Sequence, residues 1–198
     1  MIKFVFDLDG TITKVETLPL LAKELNLAEE IRLLTDLTMS GKISFEKSFR
    51  LRHFVLRNIP PKKIFEIMQN VPLDEDIAEF IRANKKNCVA VTGNLDAWIE
   101  PIIKKLGCDF YSSESAPDEN GIPLLKKILD KGEVVREMKR KNFSVVAIGD
   151  GANDLPMFDA ADFSVAYGGV HKPPDFLIRA ANYFVTDGKN LCDLLKKF

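Results

Sequence analysis

Two short acidic segments carry most of the chemical promise of this sequence. The first is Asp7-Leu8-Asp9-Gly10-Thr11, directly after an apolar run at residues 2–6. Two carboxylates two residues apart can divide labour. One attacks as a nucleophile already ionised at neutral pH, and the other gives and takes a proton. Gly10 permits a sharp backbone turn, and Thr11 has a hydroxyl to cap it; the same residues also suit a plain Asp-rich turn. The second segment is Gly149-Asp150-Gly151-Ala152-Asn153-Asp154, after the run Val145-Val146-Ala147-Ile148. Its carboxylates suit a hard dication such as Mg²⁺, which takes one or two carboxylates, water and substrate oxygens. A loop before a helix with Asp154 as its N-cap would read the same way. Asp7 and Asp150, from the ends of different runs, make the minimal metal-binding pair.

Two further positions complete the pattern. Thr92-Gly93 ends the run Cys88-Val89-Ala90-Val91. A hydroxyl and the following N–H at a strand end can hold a phosphate oxygen. Lys131 stands just before a helical stretch and offers the fixed positive charge that an attack on an anionic phosphate requires. Taken singly, a strand-ending Thr-Gly and a lone Lys are ordinary features.

The elements that would position these groups follow from the hydrophobic pattern. The runs at residues 2–6, 88–91, 145–148 and 163–166 are continuous rather than alternating, as buried parallel strands are. A weaker one covers Tyr183-Phe184-Val185. Helical patterns at 95–106, 132–141, 155–160 and 191–197 lie between them. Strand alternating with helix predicts an α/β fold, a Rossmann-like doubly wound parallel sheet with ligands outside the carboxyl ends of the strands. Residues 15–71 break the alternation. Leu18, Leu21 and Leu25 recur at helical spacing, and Phe45, Phe49, Arg52-His53 and Leu56 form a second stripe opened by Ser44 as N-cap. Pro60-Pro61 ends that stripe, and 62–70 reads as another short helix. The expected division is a core of residues 1–14 and 72–198 with a helical cap inserted at 15–71. Residues 112–121, polar with Pro and Gly, read as a loop.

Composition narrows the setting. The chain has 198 residues, 46% of them hydrophobic, enough to bury a core. A net charge of −1 gives no electrostatic case for a nucleic-acid or membrane partner. Three scattered cysteines make neither a disulfide framework nor a zinc site. No apolar run approaches a membrane span, and the first ten residues do not resemble a signal peptide, so a cytoplasmic protein is expected.

The four pieces in this order resemble the haloacid dehalogenase-like phosphohydrolase superfamily: Asp7 and Asp9 in DLDGT, Thr92, Lys131, and GDGAND with Asp150 and Asp154. The resemblance covers nearly the whole chain. It implies a two-step hydrolysis through an aspartyl phosphate, with Asp7, Asp9 and Lys131 catalytic. It puts Mg²⁺ on Asp7, Asp9, Asp150 and Asp154. The phosphate would lie against Leu8, Asp9, Thr92, Gly93, Lys131 and Asn153. Asp9 sets the chain apart from dehalogenases, which lack this acid, and from P-type ATPases, which carry Thr there. A phosphatase or a phosphomutase fits. Within the superfamily the insert is similar to that of phosphoserine phosphatases, in Glu16, in residues 39–46 (MSGKISFE) and in Arg52. KGEVV and AIGDGAND match that family too. By this resemblance Arg52 holds a substrate carboxylate, Glu16 an ammonium group, and Met39 and Phe45 close over O-phospho-L-serine.

Three departures stand beside the match. Gly10 replaces a usual Ser, Thr92-Gly93-Asn94 replaces Ser-Gly-Gly, and residues 112–123 are shorter than the usual hairpin. Three other readings stay open: a phosphatase for another small phosphorylated metabolite, a phosphotransferase or mutase, and a phospho-Asp signalling module. Response-regulator receivers also combine acids, Thr and Lys, but lack the helical insert and the GDxxxD pattern.

Overall fold

The computed structural model describes residues 1–198. β1 (Ile2–Phe6) lies at the centre of a seven-stranded sheet, between β2 (Cys88–Leu95) and β5 (Ser144–Gly149). The order is β4-β3-β2-β1-β5-β6-β7, with β3 at Asp109–Pro117, β4 at Pro123–Lys127, β6 at Phe163–Tyr167 and β7 at Tyr183–Val185. Every pairing is parallel except the β3–β4 hairpin. The apolar runs are continuous because both faces are covered. Phe4 and Phe6 join one buried layer, with Cys88, Ala90, Val146 and Ile148. Val5 joins the other, with Val89, Val91, Val145 and Ala147. Helices α5 (Glu75–Ala83), α6 (Asp96–Leu106) and α10 (Gly188–Leu195) cover the first face. α7 (Lys131–Arg140), α8 (Leu155–Ala160) and α9 (Asp175–Ala180) cover the second. The sheet is thus the doubly wound α/β architecture the sequence predicts. No helix is long and apolar enough to cross a membrane.

Residues 112–121 are not a loop. β3 runs to Pro117 and turns through Asp118, whose carboxylate accepts the N–H groups of Asn120 and Ile122, into β4. The hairpin is the sheet's edge and most of β3 is open to water, so the stretch Ser112-Ser113-Glu114-Ser115 is polar and carries no apolar signature. α5 and α9 also escape the sequence reading, although Asp74 caps α5 by accepting the Ile77 N–H.

The stretch 15–71 is helical throughout: α1 (Thr17–Ala22), α2 (Ala28–Met39), α3 (Phe45–Leu56) and α4 (Pro61–Gln69). Ser44 stands at the N-cap of α3, but its hydroxyl makes no capping bond. The chain leaves and re-enters the sheet domain at adjacent points. Thr13 and Leu73 form an antiparallel bridge, and the Lys14 N–H donates to the Pro72 carbonyl at 2.9 Å. The helices do not stand apart, since Leu21, Ile31, Phe49, Leu56, Ile64 and Met68 belong to the same apolar cluster as Ile99, Ile102 and Phe6. His53 of α3 stacks on Trp98 of α6, with ring centroids 5.6 Å apart, and its Nε2 meets the Pro123 carbonyl at 2.9 Å.

Candidate active site

The carboxyl ends of β1, β2 and β5 converge because the strands are parallel and in near register, with Phe6 opposite both Ala90 and Ile148. Asp7 is therefore brought beside Thr92 and Asp150. Lys131, at the first turn of α7, is 4% exposed and places Nζ 2.6 Å from Asp7 Oδ1 and 2.6 Å from Asp154 Oδ1. Burial alone would depress its ammonium, but the two carboxylates, Asp154 foremost, hold it above its ordinary value.

Each carboxylate has its own setting. Asp7 Oδ1 also accepts the Leu8 N–H at 2.7 Å. Burial, then repulsion from Asp154, raises the Asp7 carboxyl well above the usual range, with Lys131 pulling the other way. Asp9 accepts the Thr17 hydroxyl and, at 3.2 Å, the Thr17 N–H. Its second oxygen lies 3.4 Å from both Thr92 Oγ1 and Asn94 Nδ2. Asp154 is fully engaged, with Oδ1 on Lys131 and Oδ2 accepting the N–H groups of Asp150 and Gly151. Asp150 receives the Thr11 hydroxyl on Oδ1 at 2.7 Å, while Oδ2 is buried with no hydrogen bond.

The donor set fits a dication. Ligand oxygens of Asp7, Asp150 and Asp154 lie within 4.8 Å of one another. Four clustered acids, counting Asp9, face one buried ammonium, and Asp150 Oδ2 has no hydrogen bond, with only the His171 ring 2.6 Å away. Only a cation relieves that combination without protonating the site.

Helices α1, α2 and α3 close the other side of a small pocket. Met39, Phe45, Arg52 and Glu16 all line it, together with Asp7, Asp9, Thr92, Gly93 and Asn153. Of the residues singled out from the sequence, Leu8, Thr11, Lys131, Asp150 and Asp154 do not line this space. Phe45 lies so close over Gly93 that a Cβ there would collide with its ring. Arg52 is 3% exposed, donates Nη1 to Thr35 Oγ1 at 3.0 Å, and keeps Nη2 without a partner. Burial lowers its guanidinium to about 10. Glu16 Oε1 and Asn153 Oδ1 are likewise buried and unpartnered.

Several residues here escape sequence reasoning. Thr17, a single hydroxyl with no periodic signal, holds Asp9, and Thr11, expected to cap its own turn, donates its hydroxyl to Asp150 instead. Thr35 and Thr38 line the cavity from α2, and Thr35 lies one helical turn before Met39. Asn94 stands out in the sequence only as a departure from the family pattern. Its amide donates to Thr17 Oγ1 at 2.8 Å and so is turned toward Asp9. His171 approaches Asp150 and Glu16 from the loop after β6, and nothing in the local sequence marks it.

Comparison with known proteins agrees with this geometry. The model of the haloacid dehalogenase-like hydrolases matches residues 4–162. A phosphoserine phosphatase of Archaeoglobus fulgidus is 30% identical over 82% of this chain, which spans 51% of that protein's length. One of Methanocaldococcus jannaschii is 29% identical over 82% of this chain and 83% of its own. A substrate-bound phosphoserine phosphatase structure superposes with a TM-score of 0.84 at 26% identity, covering 100% of this chain and 99% of the other. The chain belongs to the haloacid dehalogenase-like hydrolases and is a phosphoserine phosphatase-like phosphoric monoester hydrolase, of the kind that works through an aspartyl phosphate.

Proposed function

We propose that this chain hydrolyses O-phospho-L-serine to L-serine and phosphate. The observation that carries the reading is Arg52: a buried cation with an unused donor, facing the same cavity as Asp7 and Asp9. A buried guanidinium with a free N–H demands an anion, and a carboxylate matches its fork geometry. Glu16, across the cavity, suits an ammonium group. A small molecule with a phosphate at one end and an amino-acid head at the other satisfies both ends, as phosphoserine does. Residues 15–71 act as the cap over it.

In this reading Asp7 attacks phosphorus and forms the Asp7 acyl phosphate, while the P–O bond to serine breaks. Asp9 passes its proton to the departing serine oxygen. It then takes a proton from a water that attacks the same phosphorus, the P–O bond to Asp7 breaks, and phosphate leaves. Thr92, Gly93, Asn153, Lys131 and the Asp9 N–H hold the phosphoryl oxygens, while the Leu8 N–H, expected to join them, donates to Asp7 Oδ1. Asp154 fixes Lys131 and the 149–154 loop. Asp7, Asp9 and Asp150, with Asp154 beside them, would hold Mg²⁺, which supplies charge neutralisation at the phosphoryl group. Asn94, bonded to Thr17, leaves room for the serine backbone.

A phosphate-release panel with Mg²⁺ tests the reading. Phosphoserine should exceed phosphothreonine, phosphocholine and sugar phosphates in kcat/KM. Preference for a substrate with no carboxylate would reject the amino-acid assignment while leaving the phosphatase intact.

A further inference from the structure

A second group of potential ligands lies on the far side of Asp150 from Lys131. Oxygens of Glu16 and Asp150 and a ring nitrogen of His171 all fall within 4.8 Å of one another. They come from three separate places: the start of α1, the end of β5 and the loop after β6. Three of their atoms are orphans. Glu16 Oε1, Asp150 Oδ2 and His171 Nε2 are each buried without a hydrogen bond. Nε2 and Oδ2 stand 2.6 Å apart, yet the contact lacks hydrogen-bond geometry. Asp150 is wholly buried.

The backbone leaves space for this group. Gly10 has φ +78°, and a Cβ built on it would lie 2.6 Å from Asp150 Oδ2, 2.9 Å from Glu16 Oε1 and 3.0 Å from His171 Cε1. A side chain at position 10 would thus fill the hollow these residues surround. The hollow is also reachable. A cleft of ≈ 690 Å³ between α2 and the 171–174 loop is lined by Glu16, Asp36, Ser40, His171 and Lys172.

We propose that Glu16, Asp150 and His171 form a mixed nitrogen–oxygen cation site, contiguous with the all-carboxylate cluster through Asp150, that takes a first-row transition dication in preference to Mg²⁺. The imidazole sits at ion-pair distance from Asp150, which raises it above its ordinary value, and Glu16 Oε1 is left with no hydrogen bond. A shared cation satisfies all three orphaned atoms at once. Imidazole is a borderline ligand that suits Co²⁺, Ni²⁺, Cu²⁺ and Zn²⁺, whereas Mg²⁺ prefers oxygen alone. Glu16 contributes Oε1 to this site, and its carboxylate also borders the substrate cavity, so the two sites meet at one side chain. The proposal does not depend on phosphoserine as substrate.

Co²⁺ binding to the full-length chain is the test, read without turnover. The chain has two histidines, and His53 is committed to Trp98 and Pro123 away from the acids. The Co²⁺-loaded wild type should show one exchangeable, hyperfine-shifted imidazole N–H in its proton NMR spectrum. His171→Asn should abolish that signal. It should weaken Co²⁺ and Zn²⁺ binding by at least about tenfold, the loss usual even for a partner that only supports a ligand. Mg²⁺ affinity, measured by competition, should stay within about twofold. Absence of the shifted N–H in the wild type overturns the proposal with no variant needed. So does an equal loss of Mg²⁺ and Co²⁺ affinity in His171→Asn, which would mark His171 as scaffold. Failure of the phosphoserine panel leaves these readouts untouched.

Discussion

Thr17 and Asn94 hold the two carboxylate oxygens of Asp9, and this restricts where its proton can go. Thr17 takes one carboxylate oxygen and Asn94, with Thr92, approaches the other. Asp9→Asn should keep the packing and lose the proton transfer. Turnover of phosphoserine should fall by about 10²–10⁴-fold, the usual worth of general acid–base catalysis. Formation of the acyl phosphate from an aryl phosphate, whose leaving group needs little protonation, should fall far less. Equal losses in single-turnover measurements would remove the acid role. Arg52→Lys tests the other end of the cavity. Losing one charge-assisted bond costs about 1.5–3 kcal/mol, so kcat/KM for phosphoserine should drop roughly tenfold to a hundredfold. An aryl phosphate, with no carboxylate, serves as the control and should be nearly unaffected. Asp9 stands out in the sequence as the second acid of the first segment, and Arg52 only through the resemblance of residues 15–71 to the phosphoserine phosphatase insert. Thr17, Thr35 and His171 do not stand out. Each acts through a tertiary contact, and a lone Thr or His carries no spacing that declares it.

β1 and β5 show why the sheet is readable at the level of elements. Lys3 apart, the Ile2–Phe6 run needs two apolar faces, and its neighbours at 88–91 and 145–148 have the same need. Parallel pairing satisfies all three together. The β3–β4 hairpin has one wet face and an exposed edge, so nothing apolar announces it. The same β2 strand that carries Thr92 meets the cap at Gly93, under the Phe45 ring. Gly93→Ala should therefore block closure of α3 over the cavity rather than unfold the sheet. Overpacking of this kind costs about 1–3 kcal/mol, which the cap can relieve by standing open. Thermal melting should shift by only a few degrees on the ~2–4 °C per kcal/mol scale of a domain this size. Phosphoserine hydrolysis should fall much more. A variant that melts far earlier yet keeps its activity per folded molecule would contradict this account of Phe45.

At the scale of the whole molecule, cap and sheet share one apolar cluster, so the division at residues 14–15 and 71–72 is one of topology more than of packing. Where α3 meets α6 the seam holds His53. Burial holds the His53 imidazole below its ordinary value of 6.5. The unfolded chain then takes up a proton more readily, so this group's share of stability is complete above pH of about 6.5. It is lost as pH falls through the lowered value. Melting temperature from about pH 8 to about pH 5 should decline less steeply in His53→Gln than in the wild type. Identical slopes would show that the imidazole takes up its proton equally in both states. The inserted cap is legible as an interruption of strand–helix alternation, but its fusion to α6 is not, because His53 and Trp98 meet only after folding.

Trp98 is the only tryptophan in the chain, and it sits under His53 where α3 meets α6. That makes the molecule its own optical gauge. An indole stacked on imidazole and shielded from water emits to the blue, and protonated imidazole quenches it. Any swing of α3 away from α6 exposes the ring and moves its emission to the red, with no dye attached. Stopped-flow mixing with phosphoserine should show a fluorescence transient that rises and decays within each turnover. A flat trace during full hydrolysis would mean that substrate enters and phosphate leaves while α3 and α6 stay joined.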